Sequence, residues 1–345
     1  MSAILPVAQR RSGEMRVWRL AGLIPGLFLL LALGGFSLYF GARPIPPAVI
    51  WQALTQFDPH NSEHLLVCYL RLPRTLLAVV VGAALGAAGV IMQTLTRNPL
   101  ADPGLLGVNA GATLAIVLSI AVFNVADVFS TMWFGVAGAV IVSVAVLLVG
   151  GIDGNNPVRI VLAGAALTIV LLSLTQLVII NSEPEAFDRF RHWVIGSLQG
   201  RGFDVLLPVA MLVGVGLLLA LASSKMLDIA ALGSDAGLAL GVNPRWLVVM
   251  SALIIVILAG AATAAAGPIV FVGLTAPHFA RAVAGLQHRA LLPWAMLFSA
   301  MLVLLADILG RIVGYPGEVS VGVMVALIGG PCFVLLVKRW QGGRV

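Results

Sequence analysis

Long apolar stretches dominate this sequence and decide what kind of protein it can form. Leu20–Phe40, for example, contains no charged residue. It is long enough to cross the hydrocarbon core of a bilayer, which takes about 20 residues of helix. Only 10% of the 345 residues are charged, whereas soluble domains have about 25%. Too few polar residues remain to cover a water-soluble fold, so the sequence predicts one transmembrane domain over residues 1–345.

A search for apolar segments of about 20 residues predicts an all-α polytopic membrane protein with ten spans. The basic segment 1–18 lacks a small-residue cleavage site, so we interpret it as cytoplasmic and not as part of a signal peptide. The ten predicted spans cover residues 19–41, 75–96, 106–125, 131–151, 158–180, 204–223, 246–266, 269–285, 290–312 and 320–338.

The basic residues predict how the chain is oriented. With the N-terminus inside, 13 of the 20 Lys and Arg residues fall in inner segments and 7 in outer ones, as the positive-inside rule requires. We therefore expect a multi-pass protein of the bacterial inner membrane with both termini in the cytoplasm. Membrane topology also accounts for the net charge of +6, so no nucleic acid partner is expected.

Two of the predicted spans are rich in small residues. The second carries Gly82-x-x-x-Gly86, and the seventh contains Ala261-Ala-Thr-Ala-Ala-Ala-Gly267. Small residues at this spacing allow helix backbones to approach closely inside a membrane. Both helices are therefore predicted to lie inside the bundle, surrounded by protein.

The chain lacks the residues of an ATP site or of an enzyme. Its two lysines, Lys225 and Lys338, lie outside any Gly-x-x-x-x-Gly-Lys-Ser/Thr motif. Cys68 and Cys332 have no metal-ligand spacing. We expect no metal or cofactor on this chain, and any ATP to be bound by a partner.

Two ionisable residues, Asp307 and His278, lie within predicted spans. Asp307 precedes Arg311 by four residues, so the two can pair on one helix face. His278 follows Pro277 and can bind a carbonyl that the proline leaves free. The alternative is a proton relay in an ion-coupled secondary transporter.

Two polar segments suggest contacts with other proteins. Arg71 and Arg74 lie at the predicted outer end of the second span, where the positive-inside rule does not favour arginine. They either extend into the lipid headgroups or bind carboxylates of an external protein.

The second segment is the predicted inner loop 223–246. Within it, Ser234–Gly241 has the pattern of a short amphipathic helix, with Ser234 at its N-cap, Asp235 in its first turn and Gly241 at its C-terminal turn. It is either a surface helix without a partner or a lever held by a cytoplasmic subunit.

Four longer motifs lie along the chain: Arg71-Leu-Pro-Arg74, Gln93–Gly111, Gly267–Arg281 and Leu305–Arg311. Together they resemble motifs of the FecCD permease family, which includes cobalamin, haem and ferric-siderophore importers. The Thr96–Gly111 stretch is most similar to permeases for ferric catecholates.

This resemblance implies a type II ABC importer: ten helices per permease, two permease subunits, two cytoplasmic ATPases and a periplasmic siderophore-binding protein. Similarity to the catecholate permeases implies a second, different permease chain. An importer of haem or cobalamin remains an alternative within the family.

The resemblance also assigns three groups of residues. Arg71, Arg74 and Arg311 correspond to arginines that receive glutamates of the binding protein. The inner loop 223–246, which we call the coupling loop, corresponds to residues that contact the ATPase. The segment before the fifth span corresponds to an inner gate. The coupling residues are Gly233, Ser234, Asp235, Leu238 and Gly241, and the gate residues are Asn155, Asn156 and Pro157.

Overall fold

The computed structural model describes residues 22–41, 44–153 and 156–342, and within these ranges the regular structure is entirely helical. The predicted cytoplasmic segment 1–18 and the predicted gate residue Asn155 lie outside the described residues. The α-helices are α1 Leu23–Tyr39, α2 Pro47–Thr55, α3 Ser62–Leu65, α4 Leu72–Thr96, α5 Val108–Ala121, α6 Val128–Gly150, α7 Pro157–Ile180, α8 Pro184–Val194, α9 Phe203–Ala222, α10 Ser224–Ala230, α11 Ser234–Ala239, α12 Pro244–Ala266, α13 Val272–Ala284, α14 His288–Val313 and α15 Val321–Gly342.

Six helical segments of the described chain are long and apolar enough to cross a membrane. They are α6, α7, α9, α12, α14 and the continuous helix Ser62–Thr96, which joins α3 to α4 through a π-helical turn at Leu66–Arg71. Each corresponds to one of the ten predicted spans.

The other four predicted spans correspond to α1, α5, α13 and α15. Three of these have shorter apolar helices: α1 with 17 residues, α5 with 14, and the Val321–Val334 part of α15. The fourth, α13, has 13 residues and is ~20 Å long at 1.5 Å per residue. The predicted spans 106–125 and 269–285 therefore extend beyond the helices that form there.

Helices α4 and α14 form the centre of the bundle and run antiparallel. A Cβ atom on Gly82 of α4 would lie 2.6 Å from the Cα of Ala300 in α14, and one on Gly86 would lie 2.5 Å from the carbonyl oxygen of Ala295. Most of α4 is buried, as is the alanine-rich half of α12. Both helices lie inside the bundle, as the small residues predict.

A break in the helices brings three backbone segments together beyond the C-terminal end of α12. Gly267 has φ 77°, and a side chain there would collide with the carbonyl oxygen of Trp193 in α8. The amide of Ser197 donates to Ala266 O at 2.7 Å, and that of Gly322 donates to Gly196 O at 3.0 Å. These bonds join α8, α12 and the start of α15, and they satisfy polar groups that lipid could not.

The close contact between α4 and α14 yields a stability prediction. Gly82→Ala would place a methyl group against the Ala300 backbone, and overpacking of this kind costs about 1–3 kcal/mol. We expect a lower midpoint of thermal unfolding in detergent. Gly214→Ala is the matched control, because that helical glycine has no atom within 4 Å of the added Cβ. Equal midpoints for the two variants would contradict the packing described here.

Candidate functional site

The two ends of the α4–α14 pair carry different chemistry, and we name them by their residues. The arginine end contains Arg71, Arg74 and Arg311. The loop end contains α10, α11 and the N-terminus of α14 at His288. The same two long helices therefore contribute to both ends.

At the arginine end, one buried carboxylate binds two arginines. Asp307 is 1% exposed. Its Oδ1 accepts hydrogen bonds from Arg74 Nε at 3.1 Å and Arg74 Nη2 at 2.8 Å, and its Oδ2 accepts one from Arg311 Nη2 at 2.7 Å. Arg74 Nη1 also donates to Glu318 Oε2 at 2.7 Å. The predicted Asp307–Arg311 pair is confirmed and is part of a larger network.

The same arginines also anchor the C-terminal end of α1. Arg311 donates to Ser37 O at 2.8 Å, Ser37 Oγ at 2.6 Å and Phe40 O at 2.9 Å. Arg71 Nη1 donates to Leu38 O at 2.7 Å and Tyr39 O at 2.9 Å. These guanidiniums satisfy carbonyls that a helix C-terminus leaves without partners.

The three predicted docking arginines thus lie together but differ in exposure. Arg311 is 4% exposed and bound by the carboxylate of Asp307 and by α1, whereas Arg71 and Arg74 are partly exposed. All three line a cavity of 250 Å³. Glu318, between α14 and α15, was not anticipated from the sequence. Its contact with Arg74 spans 244 residues, and no local pattern indicates such a pair.

Arg201, which sequence reasoning also missed, lies in the short connection between α8 and α9 and lines this cavity. It also lines an adjoining cavity of 690 Å³. Burial lowers the pKa of the Arg201 guanidinium to about 10, and the negative charge of Asp204 opposes that shift. The group is therefore still cationic at neutral pH.

At the loop end, the predicted coupling helix forms as α11, with six residues. Gly233 occupies the N-cap position, and Ser234 is the first helical residue; the prediction that Ser234 would be the N-cap is wrong by one position. Asp235 lies in the first turn. Gly241 has φ 82°, and its amide donates to Leu238 O at 3.0 Å. It thus provides the left-handed C-terminal turn predicted from the sequence.

The coupling loop presents apolar side chains on its surface. The most exposed are Leu232 at 67%, Leu240 and Trp246 at 59%, and Leu238 at 56%. Together with Asp235 and Arg245 they form a mixed apolar and charged surface. Several large exposed apolar side chains in one short segment are consistent with a protein or lipid contact.

A hydrogen-bonded cluster, which we call the Asp228 clamp, fixes this loop to the central helices. Asp228 of α10 accepts from the backbone amide and from Nδ1 of His288, both at 2.7 Å. The Nε2 of His288 lies 2.7 Å from Thr94 Oγ1 in α4. His288 is 3% exposed. The clamp thus joins α10, α14 and α4 through one imidazole ring.

The predicted gate segment lies beside the clamp. Asn156 Oδ1 accepts from the amide of Val158 at 3.2 Å and so caps α7, with Pro157 in the first turn. Pro157 lines a 20 Å³ cavity with Thr94, Arg97 and Ala230. The start of α7 is therefore close to both α4 and α10.

His278 lies at the edge of a 660 Å³ cavity at the loop end, lined also by Arg97, Arg281 and His288. Arg281 donates to Gln93 Oε1, and Gln93 in turn donates to the carbonyls of Gly273 and Leu274. The side-chain amide of Gln93 therefore supplies hydrogen-bond donors to these carbonyls near the start of α13. Among the described residues, no group of three His, Cys, Asp or Glu side chains could hold a metal ion.

Comparison with known proteins agrees with this architecture. The profile of the FecCD transport family matches residues 29–339. The chain belongs to this family. Its fold also matches a metal-chelate type ABC transporter solved in an inward-facing conformation, with a TM-score of 0.82 and 27% identity over 92% of this chain and 98% of the other.

Three relatives show the range of the family. The ferric enterobactin transport system permease protein FepD of Escherichia coli is 43% identical over 96% of this chain and 99% of its own length. The probable siderophore permease YfiZ of Bacillus subtilis is 38% identical over 91% and 94%. The hemin permease HmuU of Yersinia pestis is 35% identical over 96% and 99%. The predicted family and the likeness to FepD are confirmed.

The Asp228 clamp predicts a local change in dynamics. Asp228→Asn removes the carboxylate, and hydrogen bonds to charged groups contribute about 1.5–3 kcal/mol. Faster amide hydrogen exchange is expected in α10 and α11, with α4 and α14 protected as before. Asp153→Asn is the control, because Asp153 forms an exposed ion pair with Arg245 at the same end and such pairs contribute little. Unchanged exchange in α10 and α11 would show that the clamp does not hold the loop.

Proposed function

We propose that this chain is the membrane permease subunit of a binding-protein-dependent ABC importer that moves an iron–siderophore chelate, a ferric catecholate in particular, into the cytoplasm. The observation that carries the proposal is the full-length similarity to FepD. Relatives named for hemin transport make haem the second candidate substrate within the family.

The proposal includes a complete topology. Ten membrane spans, with α1, α5, α13 and α15 completing the six long apolar helices, would place both termini in the cytoplasm of a bacterium. The arginine end would then face outward and the loop end inward, in agreement with the distribution of basic residues. Short helices such as α13 are compatible with a membrane interior when other protein surrounds them.

A second permease subunit, different from this one, would complete the pathway. Helix α7 is the least buried of the six long helices, with Leu162, Ile169 and Leu177 each more than 60% exposed. Such a face packs against lipid or another subunit. A bulky, often anionic chelate needs a protein-walled path, because a charge at the bilayer centre is costly. We place that path between two permease chains, along α7 and α15, with Asn155, Asn156 and Pro157 closing its inner end.

The arginine end would receive the periplasmic binding protein. Arg71 and Arg74 are partly exposed, and an arginine guanidinium suits bidentate contacts with carboxylates. Arg311, which is buried, would act indirectly, because it holds Asp307 and hence Arg74 in position. The four arginines around the smaller cavity outnumber the three nearby carboxylates, Asp307, Glu318 and Asp204, which leaves this end positively charged.

The coupling loop would bind a cytoplasmic ATPase. Its exposed leucines and Trp246 offer apolar contacts, and the Asp228 clamp connects the loop to α4 and α14. Movement of the loop by the ATPase would therefore be transmitted to helices that also carry Arg74 and Arg311. ATP would be bound and hydrolysed by that partner.

Uptake in proteoliposomes tests the proposed function. The complex of permease, ATPase and binding protein should accumulate the chelate when ATP is enclosed, and accumulation should persist when a protonophore is added. An ion-coupled transporter using Asp307 and His278 gives the opposite dependence. The structure weighs against that alternative, because both oxygens of Asp307 are bound by arginines. Uptake that requires an ion gradient and does not depend on ATP would exclude an ABC importer.

Docking at the arginine end is tested by Arg71→Glu, which reverses a partly exposed charge and also removes the hydrogen bonds of Arg71 to Leu38 O and Tyr39 O, so thermal unfolding of the variant is measured in parallel. Since exposed ion pairs contribute about 0.2–1 kcal/mol, the affinity for the binding protein should fall by about 1.4- to 5-fold. Arg289→Glu is the control, because it makes the same charge change at an exposed position of the loop end. Equal affinities for the two variants, measured on intact complexes, would remove Arg71 from the docking surface.

A further inference from the structure

Arg201 is a partly buried cation, and one of its hydrogen-bond donors lacks a partner among the described residues. Its Nε is fully buried and reaches no hydrogen-bond acceptor among the described residues. Among the described residues, the carboxylate of Asp204 partly offsets the cost of burying its guanidinium. A buried guanidinium donor without an acceptor costs free energy. The arrangement is therefore incomplete without an anion.

Other carboxylates near this end already form ion pairs with neighbouring arginines, so they do not neutralise the charge of Arg201. Arg74 and Arg311 are bound by Asp307 and Glu318. Arg189 and Arg191, which line the larger cavity, form ion pairs with Glu185 and Asp188 on the exposed surface of α8. Exposed pairs of this kind are weak, so both guanidiniums can turn to a stronger acceptor at little cost.

The larger cavity has the size and lining of a small-molecule site. Its volume of 690 Å³ falls within the ~300–1,000 Å³ of typical ligand pockets, and is far larger than one carboxylate side chain needs. Its walls combine the three arginines with aromatic and hydrogen-bonding groups. These are Trp193, His192, Ser197, Gln199 and Thr131. The carboxylate of Glu318, which is paired with Arg74, also lines the cavity.

We propose that this cavity is an anion-binding vestibule in which Arg201 holds the negatively charged oxygens of the chelate before it enters the pathway. The inference rests on the proposed function and adds the charge class of the substrate: anionic chelates are favoured over uncharged ones. Guanidinium groups bind oxygen anions through parallel hydrogen bonds, and such bonds are stronger in a partly desolvated site than in water.

Binding to the full transporter complex in nanodiscs, without the binding protein, tests this proposal. The probes are an anionic iron(III) tris-catecholate and an uncharged iron(III) tris-hydroxamate, followed through quenching of tryptophan fluorescence. Wild-type protein should bind the anionic probe more tightly, and added salt should weaken that binding alone. Arg201→Gln should reduce affinity for the anionic probe about tenfold, or ~1.4 kcal/mol, and change affinity for the uncharged probe less than twofold.

Two further variants keep the test decisive. Arg201→Lys retains the charge and should keep part of the preference, while Arg289→Gln removes an exposed arginine at the loop end and should keep all of it. If Arg201→Gln fails to fold, the Arg201→Lys variant and the salt dependence of wild-type binding show whether the preference for the anionic probe depends on Arg201.

Other outcomes would overturn the vestibule. Equal affinities for both probes in wild-type protein, or an unchanged preference in Arg201→Gln, would do so. A variant that binds the anionic chelate normally but loses affinity for the binding protein would assign Arg201 to a carboxylate of that protein. ATP-driven uptake by wild-type complex is measured in parallel, so that failure of the vestibule is distinguished from failure of the proposed transport function.

Discussion

The carboxylate of Asp307 is the interaction on which the arginine end depends. It is buried, it binds Arg74 from α4 and Arg311 from its own helix, and these arginines in turn bind α1 and Glu318. Removing one partner of a buried ion pair strands the other charge at a cost of about 3–5 kcal/mol. Four segments of the chain therefore meet around one side chain.

The α4–α14 pair connects this network to the other end of the molecule. Gly82 and Gly86 allow the two helices to pack backbone against backbone, which makes the pair a close and continuous contact. At the loop end, Thr94 and His288 of the same helices hold Asp228. A partner that moved α10 and α11 would act on the helices that position Arg74 and Arg311. The α4–α14 pair therefore links the two ends through one continuous helix–helix contact.

Local patterns in the sequence predicted some of these features and could not have predicted others. The Asp307–Arg311 pair lies within one helical turn, and the Gly82–Gly86 repeat marks a close helix contact, so both follow from spacing. Arg74 with Glu318 and Thr94 with His288 are separated by 244 and 194 residues, and only the folded chain brings them together. A window of about 20 residues also overestimates α5 and α13, because it measures apolarity and does not detect where a helix ends. Arg201 is one of the seven basic residues in the predicted outer segments, but nothing local in the sequence separates it from a solvated loop arginine.

A double-mutant cycle on Asp307 and Arg311 tests the central claim most directly. The free energy of unfolding is measured in detergent for Asp307→Asn, for Arg311→Met and for the double variant. If the buried carboxylate organises this end, the double variant should lose much less stability than the sum of the two single losses, with a coupling energy of at least ~1.5 kcal/mol. Additive losses, or an Asp307→Asn variant as stable as the wild type, would contradict the account.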